Sequence, residues 1–157
     1  MSGRDPGPTA FGVALALLTG RALTSGELAA RLRRRGFDAE AINAARSRLA
    51  ELGLLDDRRT AAAWAAAARD RGLGPRRVRD GLAKRRLPRE VVDEAASGAF
   101  ANGEEGLLAR EALDRWERAK GRADGAERRR AAYAHLRRRG FSSPAARAAL
   151  FNRPDFE

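Results

Sequence analysis

Cysteine is missing from this 157-residue chain, histidine and tyrosine occur once each, and lysine stands only at Lys84 and Lys120. Without thiols, neither a disulfide staple nor a thiolate metal site can form, which agrees with a reducing compartment. Aromatic residues make up 6% of the chain. β-Branched residues are scarce and no stretch alternates apolar and polar residues with period two, so the pattern gives no reason to expect a sheet. The apolar stretch at 11–18 is too short to cross a bilayer, and no run of about 18 apolar residues follows it. A basic segment leading into a long apolar core is also lacking at the start. These absences point to a cytoplasmic protein without a membrane partner, built from helices.

What the chain has in quantity is arginine. Lys and Arg total 32 against 21 Asp and Glu, a net charge of +11. The excess is spread along the chain, with 8 basic and 5 acidic residues in 1–55, 11 and 7 in 56–100, and 13 and 9 in 101–157. Such a charge favours polyanions, nucleic acid first, through attraction that weakens steeply with salt. An Arg- and Ala-rich chain also arises from genome composition, so charge alone does not decide the function.

The sequence Leu-Arg-Arg-Arg-Gly-Phe occurs at 32–37 and again at 136–141, with a degenerate copy, Leu-Ala-Lys-Arg-Arg-Leu, at 82–87. The copies begin 50 and 54 residues apart. That period indicates stacked supersecondary units, each too small to be robust without neighbours. In the first unit Thr24 and Glu27 have the spacing of a capping box, and Leu28 and Leu32 share a helical face. Gly36 then suits the left-handed position after a helix end, with Phe37 folding back on Leu32. The motif is thus first of all a helix stop. Asp38 caps a following helix carrying Ile42, Ala45, Leu49 and Leu52. The second unit offers Asp56 or Asp57 as a cap, Pro75 at a first helical position and a further helix after Pro88. The third carries Leu108, Leu113, Trp116, Tyr133 and Leu136, crosses a loop at 120–125, and starts a last helix at Ser142 or Ser143 with Pro144.

The expected fold is all-α, with three tandem three-helix repeats in an elongated, curved, right-handed-type helical array. Its divisions are a disordered lead-in at 1–10, then repeats at 11–55, 56–101 and 102–157, with a frayed end at 152–157. Arg86 stands where the outer copies have Gly36 and Gly140. A left-handed stop there costs about 1 kcal/mol more than with glycine, so the middle turn is expected to be built differently, around Pro88.

With Leu28 and Leu32 facing inward, Arg33 and Arg34 point away from the core. The equivalent positions are Ala83 and Lys84, then Arg137 and Arg138, so one outward cation recurs at Arg34, Lys84 and Arg138. Together with Arg33, Arg76, Arg77, Arg130 and Arg137, these are the candidate contacts to phosphate or to an acidic protein surface. Arg35, Arg85 and Arg139 instead fit a helix-end role, with their heads on the last carbonyls of their own helices.

Catalytic chemistry finds little footing. Asp56-Asp57 and Glu104-Glu105 lack a third ligand for a metal-dependent nuclease, and helix capping explains them better. His135 sits in an Arg-rich helix and reads as a surface or boundary residue rather than a general base. Gly72-Leu73-Gly74-Pro75 lacks the Lys and Ser or Thr of a phosphate loop and reads as a turn. Trp64, Trp116 and Tyr133 lie in helical apolar patterns and belong to the core. No metal or cofactor is expected.

A capped helix ending Leu-Arg-Arg-Arg-Gly-Phe, then Gly53-Leu54-Leu55-Asp56-Asp57, residues 69–72, Gly74-Pro75-Arg76-Arg77 and Leu82 resembles, in order and spacing, the RecX family of recombinase regulators. The likeness is close over 22–96 and looser to the final copy at 136–150. Thr60 and Ala61 stand where that family often has an aromatic. The resemblance implies a non-enzymatic, monomeric modulator seated in the groove of the RecA-DNA filament, repressing ATP hydrolysis and strand exchange in recombination, DNA repair and the SOS response. It also implies binding of single- and double-stranded DNA. The alternative left by the residues themselves is a helix-turn-helix regulator, since 24–52 alone has the dimensions of such a unit.

Overall fold

The computed structural model describes residues 8–101, 103–122 and 125–151. Its helices fall into three triplets. The first contains α1 (Ala10–Gly20), α2 (Ser25–Arg34) and α3 (Ala39–Glu51). The second contains α4 (Asp57–Asp70), α5 (Pro75–Ala83) and α6 (Arg89–Gly98), and the third α7 (Glu105–Lys120), α8 (Gly125–Arg138) and α9 (Ser143–Phe151). No strand occurs among the described residues. The all-α expectation holds; helix-on-helix packing runs inside each triplet, and each triplet has its own core.

Local sequence sets the helix limits. Thr24 Oγ accepts from the Glu27 N–H at 3.1 Å while the Glu27 carboxylate accepts from the Thr24 N–H at 2.9 Å, a complete capping box. At the other end of α2 the Gly36 N–H donates to the Arg33 carbonyl and the Phe37 N–H to the Leu32 carbonyl. These are the two bonds of a Schellman ending, with Gly36 at φ +88. The same pair of bonds closes α8 through Gly140 and Phe141. Asp38 caps α3 and Asp56 caps α4, each accepting from the N–H three residues on. Pro75 opens α5 at a position where a missing N–H costs nothing.

The cores alternate large and small residues. Leu23, Leu28, Leu32, Ile42 and Leu49 fill the first unit around Ala14. Ala61, Ala65 and Ala68 let α4 approach α5 and α6 closely, opposite Val78, Leu82, Val91 and Val92. Trp64 lies over Gly81, where even a β-carbon would collide with its ring. In the third unit Phe141 is 1% exposed and packs with Leu113, Leu136 and Leu150. Trp116 and Tyr133 border that core, half-buried, as packing residues.

Two expectations need correction. Part of the supposed lead-in is ordered: Thr9 caps α1 by accepting from the Gly12 N–H at 3.1 Å, and Ala10 is buried. Residues 1–7, the predicted frayed end at 152–157, and 123–124 of the predicted loop lie outside the described residues. The middle turn, expected to avoid the left-handed region, adopts it: Arg86 has φ +57, the one non-glycine with positive φ among the described residues. Neighbouring contacts hold it there. Its backbone lies against Gly26 near the start of α2, and a side chain at Gly26 would strike the Arg86 carbonyl. Replacing Arg86 with glycine should relieve the strain and raise unfolding stability by about 1 kcal/mol. A urea midpoint that moves down would show that the arginine side chain contributes more than its backbone costs.

Candidate protein and nucleic-acid interface

The second helices of the three units meet end to end. Arg85, just beyond α5, accepts through its carbonyl a 2.6 Å hydrogen bond from the Thr24 hydroxyl at the start of α2. Its guanidinium forks onto the Glu27 carboxylate at 2.9 and 3.1 Å and donates to the Ala22 carbonyl at 3.2 Å. Arg139, just beyond α8, does the same at the start of α5. Its carbonyl accepts from the Gly74 N–H at 2.8 Å, and its guanidinium donates to the Gly72 carbonyl at 2.9 Å and to the Arg71 carbonyl. The register is identical: the N-cap residue donates to the arginine carbonyl, and the carbonyl two residues earlier accepts from the guanidinium. Arg76 N–H adds a 3.1 Å bond to the Gly140 carbonyl.

This corrects the expected role of the third motif arginine. Arg35 does stay on its own helix, reaching the Arg31 carbonyl at 3.5 Å. Arg85 and Arg139 instead join units, because the helix that precedes them in space supplies better acceptors than the carbonyls behind them. The adjacent carboxylates also cap, but partly at a distance. Asp57 accepts from the Ser25 N–H and hydroxyl, both at 2.6 Å, so α4 of the second unit closes the start of α2 in the first. Glu105 accepts from the Ser142 N–H at 2.6 Å and hydroxyl at 3.0 Å, closing the start of α9.

Of the candidate contact residues, Arg33, Arg34, Lys84 and Arg138 are exposed at the ends of α2, α5 and α8. None of the four forms a salt bridge among the described residues. Because these helices are joined head to tail, Arg34, Lys84 and Arg138 recur once per unit. Arg76 and Arg77 expose their side chains while their backbone is held in the second junction. Arg130 is exposed beside a cleft of about 500 Å³ that it lines with Arg129, Tyr133, Arg147, Leu150 and Phe151. Arg137 departs from the expectation: it is half-buried and donates to the Phe141 carbonyl, securing its own turn. Sequence reasoning missed Arg115. Its guanidinium lies over Gly72 next to that of Arg139, and no motif marks it. Burial, then the charges of Arg115 and Arg77, hold Arg139 below the usual guanidinium range. The second junction is therefore a concentrated positive patch.

His135 packs against Trp116 with ring centroids 6.1 Å apart, and Arg128 sits 5.6 Å from the Trp116 ring. Burial, followed by the charges of Arg139 and Arg138, lowers its pKa, so the ring is neutral at pH 7. Among the described residues no three His, Cys, Asp or Glu side chains group as metal ligands, and no helix is long and apolar enough to cross a membrane.

Residues 10–49 match the family model for the first three-helix domain of RecX, and residues 56–95 match that for the second. The chain belongs to the RecX family of regulatory proteins. The regulatory protein RecX of Halorhodospira halophila is 38% identical over 138 residues, 87% of this chain and 83% of that protein. That of Trichlorobacter lovleyi is 34% identical over 148 residues, covering 91% and 94%. Similarity to RecX of Chlorobaculum tepidum is higher, 43% over 86 residues, but there the match spans about half of each chain, 54%. The solved structure of RecX from Lactobacillus salivarius has the same fold, with TM-score 0.79 at 16% identity over 90% of this chain and 92% of that one. The two matched RecX domains are the units joined by Arg85, Thr24, Glu27 and Asp57.

That junction has a pH signature. Burial pulls the Glu27 pKa upward, but hydrogen bonds from Arg85 and from the Thr24 N–H, with the charges of Arg85 and Arg21, outweigh it and hold the pKa below the ordinary 4.5. A carboxylate depressed on folding stabilises the fold above its unfolded value and loses that contribution as pH falls through the folded value. Stability should therefore drop below about pH 4.5, and Glu27→Gln should lower stability at pH 7 while flattening that drop. Urea midpoints from pH 7 to 3 measure both, and an unchanged acid slope in the variant would contradict the assignment.

Proposed function

We propose that the chain is a non-enzymatic regulator of homologous recombination and the DNA-damage response, which binds the RecA-DNA filament and represses its ATPase and strand exchange. Family membership supports the regulatory role. The observation that carries the rest is the exposed, unneutralised cation at the same point of each second helix, Arg34, Lys84 and Arg138. The intervening helices α2 and α5, ten and nine residues long, set these cations on the order of 15 Å apart. A helical polymer presents anionic groups at regular intervals, and several weak contacts on linked units gain from one another. Arg33, Arg76, Arg77, Arg130 and, next to Arg139, Arg115 extend the positive surface, which also suits single- and double-stranded DNA. The chain acts as a monomer in the cytoplasm, needing no cofactor.

Regulation through the filament and simple sequestration of DNA make different predictions. With DNA in large excess, the chain should still inhibit RecA ATP hydrolysis; loss of inhibition under that condition would favour sequestration. Reversing Arg34, Lys84 and Arg138 together to Glu should abolish inhibition while leaving helicity by circular dichroism unchanged. Inhibition that survives the triple reversal would remove these three residues from the contact surface.

A further inference from the structure

The helix ending that occurs three times is covered in two places and bare in one. Arg85 and Arg139 each seat on the N-terminus of a preceding helix in the register given above. Around the third-copy turn the fit is tight: a β-carbon at Gly140 would lie 2.5 Å from the Arg77 backbone nitrogen. Gly36 occupies the same point of the first copy, with φ +88 against +94, and nothing stands within 4 Å of its β-position. Both turns are closed by the same pair of Schellman bonds, so the backbone knob is the same shape. Arg35, which corresponds to Arg85 and Arg139, is exposed. No hydrogen bond among the described residues reaches the Arg35 or Gly36 carbonyl, whereas Arg85, Arg139 and Gly140 all have theirs occupied across a junction.

We propose that the bare end of α2 is a docking surface for another protein, and that it seats the N-terminus of a helix on that partner in the register used twice inside this chain. The chemistry selects this occupant. The α2 end offers acceptor carbonyls, at the negative end of a helix dipole, beside a forked donor. A helix N-terminus complements both, with N–H or hydroxyl donors for the carbonyls and a preceding carbonyl or capping carboxylate for the guanidinium. A phosphodiester satisfies the cation alone and, having only acceptor oxygens, is repelled by the carbonyls. Among the described residues, a second copy of the chain offers neither the start of α2 nor the start of α5. The starts of α2 and α5 are already taken by Arg85 and Arg139, and the carbonyl of Arg122, ahead of α8, accepts from Arg128 of that same helix at 2.7 Å.

The choice of partner rests on the function proposed above: a protomer of the RecA filament. Parent chain, Arg35→Ala and Arg35→Lys are compared for binding to the filament and to naked single-stranded DNA. Lysine keeps the charge but cannot make the forked contact. Docking predicts that both substitutions weaken filament binding about tenfold, that Arg35→Lys leaves naked-DNA binding unchanged, and that hydrogen exchange in RecA shows protection at the first turn of one helix which Arg35→Lys removes. Filament affinity retained by Arg35→Lys would overturn the inference and leave the proposed function standing. So would equal losses on filament and naked DNA, which place Arg35 on phosphate, or a concentration-dependent dimer of the chain abolished by Arg35→Lys. A parent chain that does not bind the filament would overturn both.

Discussion

Everything in this architecture depends on one contact made twice: the carbonyl and guanidinium of the arginine that ends one second helix, received by the N-terminus of the second helix before it. A helix end carries unsatisfied carbonyls and partial negative charge, and a helix start carries unsatisfied N–H groups and partial positive charge. Setting the end of α5 on the start of α2, and the end of α8 on the start of α5, answers both needs at once. The dipoles align head to tail, and each helix end is desolvated against a partner that replaces its water.

The constraint matters because the units are small. Three helices of about ten to fifteen residues enclose a core of leucine, valine and alanine, and fewer than about fifty residues bury too little apolar surface to be robust alone. In a linear array stability comes from each unit plus its interfaces with neighbours. The interfaces here are polar and directional rather than apolar. Arg85 on Glu27, Ser25 on Asp57 and Arg139 on the Gly72 loop fix the angle and spacing between units. The proposed binding to a periodic filament needs that spacing held. Polar contacts with a single satisfying geometry hold it better than an apolar seam that can slide. The left-handed Arg86 is a local cost of the same device, since its backbone fits against Gly26 where the first junction closes.

The sequence revealed the elements well and the joints poorly. Thr24 with Glu27, Gly36 with Phe37, Asp38 and Pro75 are local signals whose physics is complete within a few residues, and each behaves as its pattern implies. The repeat also marked Arg34, Lys84 and Arg138 as equivalent and outward. What the repeat could not reveal was where the neighbouring Arg85 and Arg139 send their guanidinium groups. A helix-end carbonyl and a capping carboxylate sixty residues away are both good acceptors, and only the packing of units decides between them. Asp57 was read as a cap and is one, but for a helix in another unit. Arg115 belongs to no motif and becomes part of the positive patch only because α7 passes beside the second junction.

Trp64 and Trp116 place one fluorophore each in the second and third units, which allows the coupling across a junction to be read directly. Single-tryptophan variants made with Trp64→Phe or Trp116→Phe, unfolded in urea, report on one unit at a time. If the Arg139 junction couples the units, the two transitions coincide in the parent background and separate once Arg139→Ala is introduced. Transitions that are already separate before Arg139 is changed, or that still coincide afterwards, would contradict the central role given to the junction.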